Sequence, residues 1–365
     1  MSDYQRLGDY IREVNVRNRD LEVENLLGVS VEKIFFPSIA NTIGTDMSNY
    51  KIVLKRQFVY IADTSRRGDK IAVALLEDCD EAIVSQAYTV FEIVDQKSLL
   101  PEYLMMWFRR PEFDRYARFH SHGSAREVFD WDELCEVRLP IPSIARQREI
   151  VSEYETLSNR IRLNEQMIAR LEETAQALYR KMFMDGIDKE NLPEGWRIGT
   201  IGEFCDIITG KKDVNESLSE GKYRFFSCSP DAYYSNEYIA SGPAALIAGN
   251  GSYTGRVTYY DKEFDLYQRT YACIPKKGFV DLMSFLYCVL KFQFQNKYMG
   301  GSRGSSIPYI VRGDIADFEF VFNREVCRSF SKDIEQLLSY IQLVINENEK
   351  LTELQSLLLA RMGEY

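Results

Sequence analysis

Ile150, Tyr154, Leu157, Ile161, Asn164, Ile168, Leu171, Ala175, Leu178 and Met182 stand alternately four and three residues apart without a break. The spacing returns 180 positions later at Phe330, Ile334, Leu337, Ile341, Val344, Asn348, Leu351, Gln355, Leu358 and Met362. More than four heptads of this kind describe a helix with a narrow apolar stripe, as in a coiled coil. At 1.5 Å per residue each helix is expected to be roughly 50 Å long. Each stripe has one Asn, Asn164 and Asn348. An antiparallel pairing in which facing residue numbers sum to 512 sets these two opposite each other. Ile161 then faces Leu351, Leu171 faces Ile341 and Leu178 faces Ile334. A buried polar pair fixes register at some cost in stability.

The repetition extends outward from the helices. Gly123-Ser124 returns as Gly304-Ser305, Leu134 as Ile315, Val137 as Phe318 and Leu139 as Phe320. Upstream lie β-branched and aromatic runs punctuated by Gly, Asn and Asp. They are 57–62, 82–84 and 88–94 in the first copy, and 245–248, 256–260 and 270–274 in the second. An apolar stretch of helix length follows each set, Pro101–Arg109 and Asp281–Phe294. The fold class is therefore α+β. Two homologous domains with twisted sheets, 1–145 and 187–323, are expected with two long helices, 146–186 and 324–365. The helices pair as an antiparallel coiled coil, and the whole is pseudo-two-fold symmetric.

At 365 residues, with 45 % apolar and 27 % charged side chains, the chain suits two ordinary globular domains. No apolar run is long enough for a membrane span. Seven scattered cysteines with no CxxC fit a reducing cytoplasm. The net charge of −10 disfavours a nucleic-acid partner at first sight. Local patches decide binding, however, and 191–323 is nearly neutral, with 14 basic and 15 acidic residues. No phosphate-binding GxxxxGK[ST] and no GxGxxG is present. The two histidines, His120 and His122, have no matching set of metal ligands at a recognisable spacing. No catalytic residue and no metal site is expected, and the chain reads as a binding and scaffolding protein.

Five polar loops combine Gly, hydroxyls, amides and basic residues, the chemistry of phosphate and base-edge contacts. Their candidates for DNA binding are Ser65, Arg66, Arg67 and Lys70; His122, Ser124 and Arg126; Lys211 and Lys212; Asn250, Tyr253 and Arg256; and Arg303, Ser305 and Ser306. The Gly-Ser loop has the most weight because it occurs in both copies at the same place. A different class also accommodates these features: two modules on a coiled-coil spacer that bind proteins or glycans.

Leu139-Pro140-Ile141-Pro142-Ser143 followed by Gln147-Arg148-Glu149-Ile150-Val151, together with 100–119 and Gly123-Ser124-Ala125-Arg126, resembles the specificity (S) subunit of type I restriction-modification systems. So does Leu192-Pro193-Glu194-Gly195-Trp196 opening the second copy. The second ending, Phe320-Val321-Phe322-Asn323-Arg324-Glu325, departs from that pattern, lacking the Pro-x-Pro and the Gln-Arg pair. The resemblance implies two target-recognition domains, each reading one half of a split, asymmetric site in double-stranded DNA. It implies helices that act as a ruler for the gap and hold two DNA methyltransferase (M) subunits, which restriction (R) subunits join. S-adenosyl-methionine would belong to the M subunits, and ATP and Mg to the R subunits, leaving this chain without a cofactor. Expected location is the cytoplasm.

Overall fold

The computed structural model describes residues 4–38, 45–64, 70–123, 127–231, 233–299 and 307–364. The chain divides into two compact units, residues 1–163 with 348–365 and residues 164–347.

The first unit is built on four strands, β1 (Ile11–Val14), β2 (Phe58–Tyr60), β3 (Val73–Leu75) and β4 (Thr89–Ile93), in the order β1-β4-β2-β3, all antiparallel. The continuous apolar runs of β2 and β3 follow from burial on both faces. Phe58, Tyr60, Phe91 and Ile93 enter one core with the helices, whereas Val59, Ala74 and Val90 enter a second core. Two small ladders, Lys51–Leu54 with Glu81–Val84 and Leu27–Val29 with Phe35–Pro37, add residues such as Val29 and Val53 to that second core. Helix α1 (Pro101–Phe108) has Pro at its first position, and a further Pro begins α2 (Pro111–Phe119). A proline suits the first turn because its missing N–H has no partner there in any case.

The second unit repeats this order. β5 (Cys205–Thr209), β6 (Ala244–Ala248), β7 (Val257–Tyr260) and β8 (Thr270–Pro275) run β5-β8-β6-β7. Ala245, Ile247 and Cys273 face the helices, and Ala244, Leu246 and Ala272 face a smaller core. In place of the Pro-separated pair stands α4 (Met283–Val289), continued to Tyr298 through a π-helical turn at Leu290–Phe294. Each domain is closed by a ladder of its ends: Tyr4–Arg6 with Arg138–Pro140, and Arg197–Thr200 with Glu319–Phe322.

Two long helices follow those ladders, α3 (Ile144–Phe183), 40 residues, and α5 (Arg324–Arg361), 38 residues. They are antiparallel within each unit. In the first, Gln355 donates to Ser158 at 2.7 Å, and Ile150 and Tyr154 share a core with Leu359 and Met362. In the second, Phe330 packs on Tyr179 and Phe183, while Tyr340 reaches Met167 at 3.5 Å. Asn164 is fully buried, and Asn348 is half-buried.

The stripe departs from strict heptads near the globular parts. Leu178 and Met182, expected in the seam, are 40 % and 38 % exposed, so Leu178 does not bury against Ile334. Ala175 is buried as expected, but Tyr179 and Phe183 are buried with it in place of Leu178 and Met182. Their 4-4 spacing suits a straight helix entering a domain core, and the aromatic cluster there offers far more buried area than a seam. Gln147 anchors the start of α3, donating to Ser98 and Pro142 carbonyls and accepting from Leu100, all at 2.9 Å. At the equivalent place in the second copy stands buried Cys327.

Burial pushes the Cys205 and Cys327 thiols up to about 12, and also raises Cys273 and Cys288. Thiolate chemistry needs exposure and a low pKa. Half-buried Cys79 and Cys228 are therefore expected to react first with a disulfide reagent, and the five buried thiols only slowly before unfolding. Fast reaction of four or more thiols in the native protein would contradict this packing.

Candidate nucleic-acid interface

In the second unit the β6–β7 hairpin loop, residues 249–256, is held by backbone bonds. Gly255 donates to Ala248 at 2.8 Å, Gly249 to Arg269 at 2.9 Å and Gly251 to Pro308 at 3.1 Å. Glycine is required here: a Cβ on Gly249 would lie 2.2 Å from the Arg269 carbonyl, and one on Gly255 2.6 Å from the Tyr298 carbonyl. Thr254 ties the loop down by donating to Pro308 at 2.9 Å, and Asn250 bridges to Tyr309. Three segments distant in sequence, 249–256, 267–270 and 307–310, thus meet at one end of the sheet.

Arg256 lies at this junction. Its Nη2 donates to the Ser229 carbonyl at 2.8 Å, and its guanidinium lies 5.4 Å from the Tyr253 ring centre. Its Nε is buried without a hydrogen-bond partner. Burial also holds its pKa below the usual arginine value. A desolvated cation with an open donor is costly unless a ligand completes it. Around it, Tyr253 is 47 % exposed, and Arg269 is exposed in the turn before β8. Sequence reading gives no sign of Arg269; the only hint is a basic residue in a strand-opening turn.

Lys211 and Lys212 part company. Lys211 is exposed. Lys212 donates to Asp265 at 2.7 Å and Ser235 at 3.1 Å, with Glu237 at 3.1 Å. Its charge is shared between Asp265 and Glu237.

The first unit brings corresponding segments together. Thr64, after β2, donates to Ser121 at 3.0 Å and to the Glu127 carbonyl at 3.1 Å. Asp63 and His122 both bridge to Val128. His120 and His122 flank one carboxylate, Glu133, at 3.4 and 3.3 Å. Among the described residues no group of three or more His, Cys, Asp or Glu is placed to hold a metal. Lys70 is exposed and pairs with Glu32 at 2.9 Å. Ser65, Arg66, Arg67, Ser124, Arg126, Arg303, Ser305 and Ser306 lie outside the described residues. No described helix is long and apolar enough to cross a membrane.

In both units, then, the end of the central-sheet hairpin and the strand-like segment after the domain helix meet at one sheet end, and in the second unit the junction presents Asn250, Tyr253 and Arg269. That doubled construction is also what comparison with known proteins finds. The family described as "Type I restriction modification DNA specificity domain" matches twice, at residues 36–173 and 193–322. The chain belongs to this family. It is 37 % identical over 126 residues, 34 % of this chain and 27 % of the relative, to the Type I restriction enzyme EcoDI specificity subunit of Escherichia coli. It is 25 % identical over 194 residues, 51 % of this chain and 42 % of the relative, to the HindI specificity subunit of Haemophilus influenzae. The chain thus spans less than half the length of these two relatives. Its fold is similar to that of the S subunit of the type I restriction-modification system from M. genitalium, with a TM-score of 0.60 and 16 % identity over 100 % of this chain and 96 % of that one.

Proposed function

We propose that this chain is a non-catalytic, cytoplasmic DNA-specificity subunit of a type I restriction-modification complex. Each unit reads one half of a bipartite target in double-stranded DNA, and the long helices carry two methyltransferase subunits, which restriction subunits join. S-adenosyl-methionine belongs to the methyltransferase subunits, and ATP and Mg to the restriction subunits. The observation that carries the reading is the repeated convergence of hairpin loop and post-helix segment, with Arg256, Tyr253, Asn250 and Arg269 exposed or half-exposed at the junction in the second unit. Arg and Asn are the side chains that make bidentate contacts to guanine and adenine edges. The two junctions differ in their residues, as two different half-sites require. Subunit docking is supported by an apolar groove of about 450 Å³ on the helix pair of the first unit, lined by Leu157, Leu354, Leu357 and Leu358. Leu354 and Leu357 are 48 % and 58 % exposed there.

The test is co-expression with the methyltransferase subunit of the same system, then methylation of a duplex pool of random sequence. A split consensus with unlike halves is expected; no complex and no methylation would sink the reading. Arg256→Ala should relax one half only, by roughly tenfold or more, since a good bidentate base contact is worth about 1–3 kcal/mol. Target DNA should also slow labelling of Cys228, whose Sγ contacts the Arg269 carbonyl at 3.4 Å, and leave Cys79 labelling unchanged.

A further inference from the structure

The two most exposed of the large apolar side chains among the described residues are Phe119, at 82 %, and Met299, at 67 %. They stand 180 positions apart, the same offset that relates the two helix stripes. Phe119 ends α2, and Met299 caps the helical segment Gln295–Tyr298. Both therefore occupy the last position before the post-helix segment of their unit. Single exposed apolar residues are ordinary. The same exposure at the same place in two copies that have otherwise drifted is not.

Both residues adjoin the candidate interface. A Cβ on Gly255 would touch the Met299 backbone nitrogen at 3.0 Å, so the hairpin loop bearing Tyr253 and Arg256 packs directly against Met299. Two residues after Phe119, Ser121 accepts from Thr64 of the corresponding hairpin. Neither side chain can bind a phosphate, for neither has a donor. An apolar side chain among groove-reading loops can press on a thymine methyl group or on the face of an unstacked base.

We infer that Phe119 and Met299 are specificity-determining residues that make the apolar base contact of each half-site. This rests on the DNA-reading assignment above, and the random-pool methylation assay separates the two. If the wild-type complex yields no consensus, the assignment itself fails. If it yields one, Phe119→Ala should relax one or two adjacent positions in one half by about tenfold, and Met299→Ala should do so in the other half. Phe119→Leu and Met299→Leu should retain most of the selectivity. The slope of affinity against salt should not change, because no phosphate contact is lost. Replacing thymine by deoxyuracil at a relaxed position distinguishes the sources of contact. Loss with wild type but not with the Ala variant marks the methyl group, and no loss marks the base face. Unchanged consensus in both Ala variants, or equal weakening on all sequences, would overturn the inference. Both side chains are largely solvent-exposed, so thermal midpoints close to wild type should confirm that the variants fold.

Discussion

Asp114→Asn is expected to lower the thermal midpoint of the first unit by about 10 °C. Asp114 lies on α2 with its side chain 12 % exposed, and it pairs with Lys33, whose side chain is 5 % exposed. The same carboxylate accepts from the Ile71 backbone N–H at 3.1 Å. Removing one partner of a buried pair costs about 3–5 kcal/mol, because the remaining charge has nothing to compensate it. For a unit of this size each kcal/mol is worth about 2–4 °C. Burial already holds the Lys33 ammonium below its ordinary value, with Asp114 opposing the shift. Without Asp114, that depression deepens. A lysine whose folded pKa lies below its unfolded one destabilises most at pH values below the folded pKa. The penalty is relieved as pH rises from there towards the ordinary 10.5. The deficit of the variant should therefore narrow in alkaline buffer. Adding Lys33→Met should restore much of the loss, since no buried charge then remains. Calorimetry of the four proteins of this cycle checks it; an Asp114→Asn midpoint within 2 °C of wild type at neutral pH would show the pair to be idle. The pair also fastens Ile71, where the β2–β3 hairpin loop returns, to the helix that carries Phe119.

How much of this was legible in the residues depends on the range of the interactions. Runs such as Phe58-Val59-Tyr60 and Ala244-Ala245-Leu246-Ile247 announce strands because burial on both faces leaves no polar position to confuse the period. The 4-3 spacing announces α3 and α5 equally well, since a helix stripe is a local property. It misleads at the ends: Leu178 and Met182 continue the period, yet Tyr179 and Phe183 are what the domain core takes. Heptad arithmetic weighs apolar character and cannot see a neighbouring aromatic cluster. Lys212 shows the same limit in the site. A lysine after Gly210 looks alike whether it waits for a phosphate or for a carboxylate 53 residues away. Phe119 and Met299 were within reach, for the repeat alignment already sets one on the other. An apolar residue beside a polar loop reads as core until its exposure is seen.

Lys212→Met is the converse experiment, and it decides between the two roles of that lysine. The Asp265 side chain is 6 % exposed, and it has Lys212 and the Leu266 backbone N–H, at 2.9 Å, as donors. Without the ammonium a buried carboxylate is left uncompensated. A loss of about 3 kcal/mol is expected, the lower end of the range because Lys212 itself keeps some contact with water. The hydrogen bond to Asp265 raises the Lys212 pKa above the ordinary 10.5, with Glu237 adding to it. A group raised on folding contributes its stability in full below the unfolded value and loses it as pH climbs through the folded one. Wild type and variant should therefore differ by a constant amount between pH 6 and about 9, and converge only above about pH 10.5. Lys212→Arg keeps the charge and should recover part of the difference. Were Lys212 instead a phosphate contact, Lys212→Met would leave stability unchanged and reduce the salt slope of DNA binding by about one. Denaturant unfolding and a salt titration on the same variant distinguish the two outcomes. The geometry favours the first, because an ammonium already shared between Asp265 and Glu237 would have to give up a buried partner to reach a phosphate.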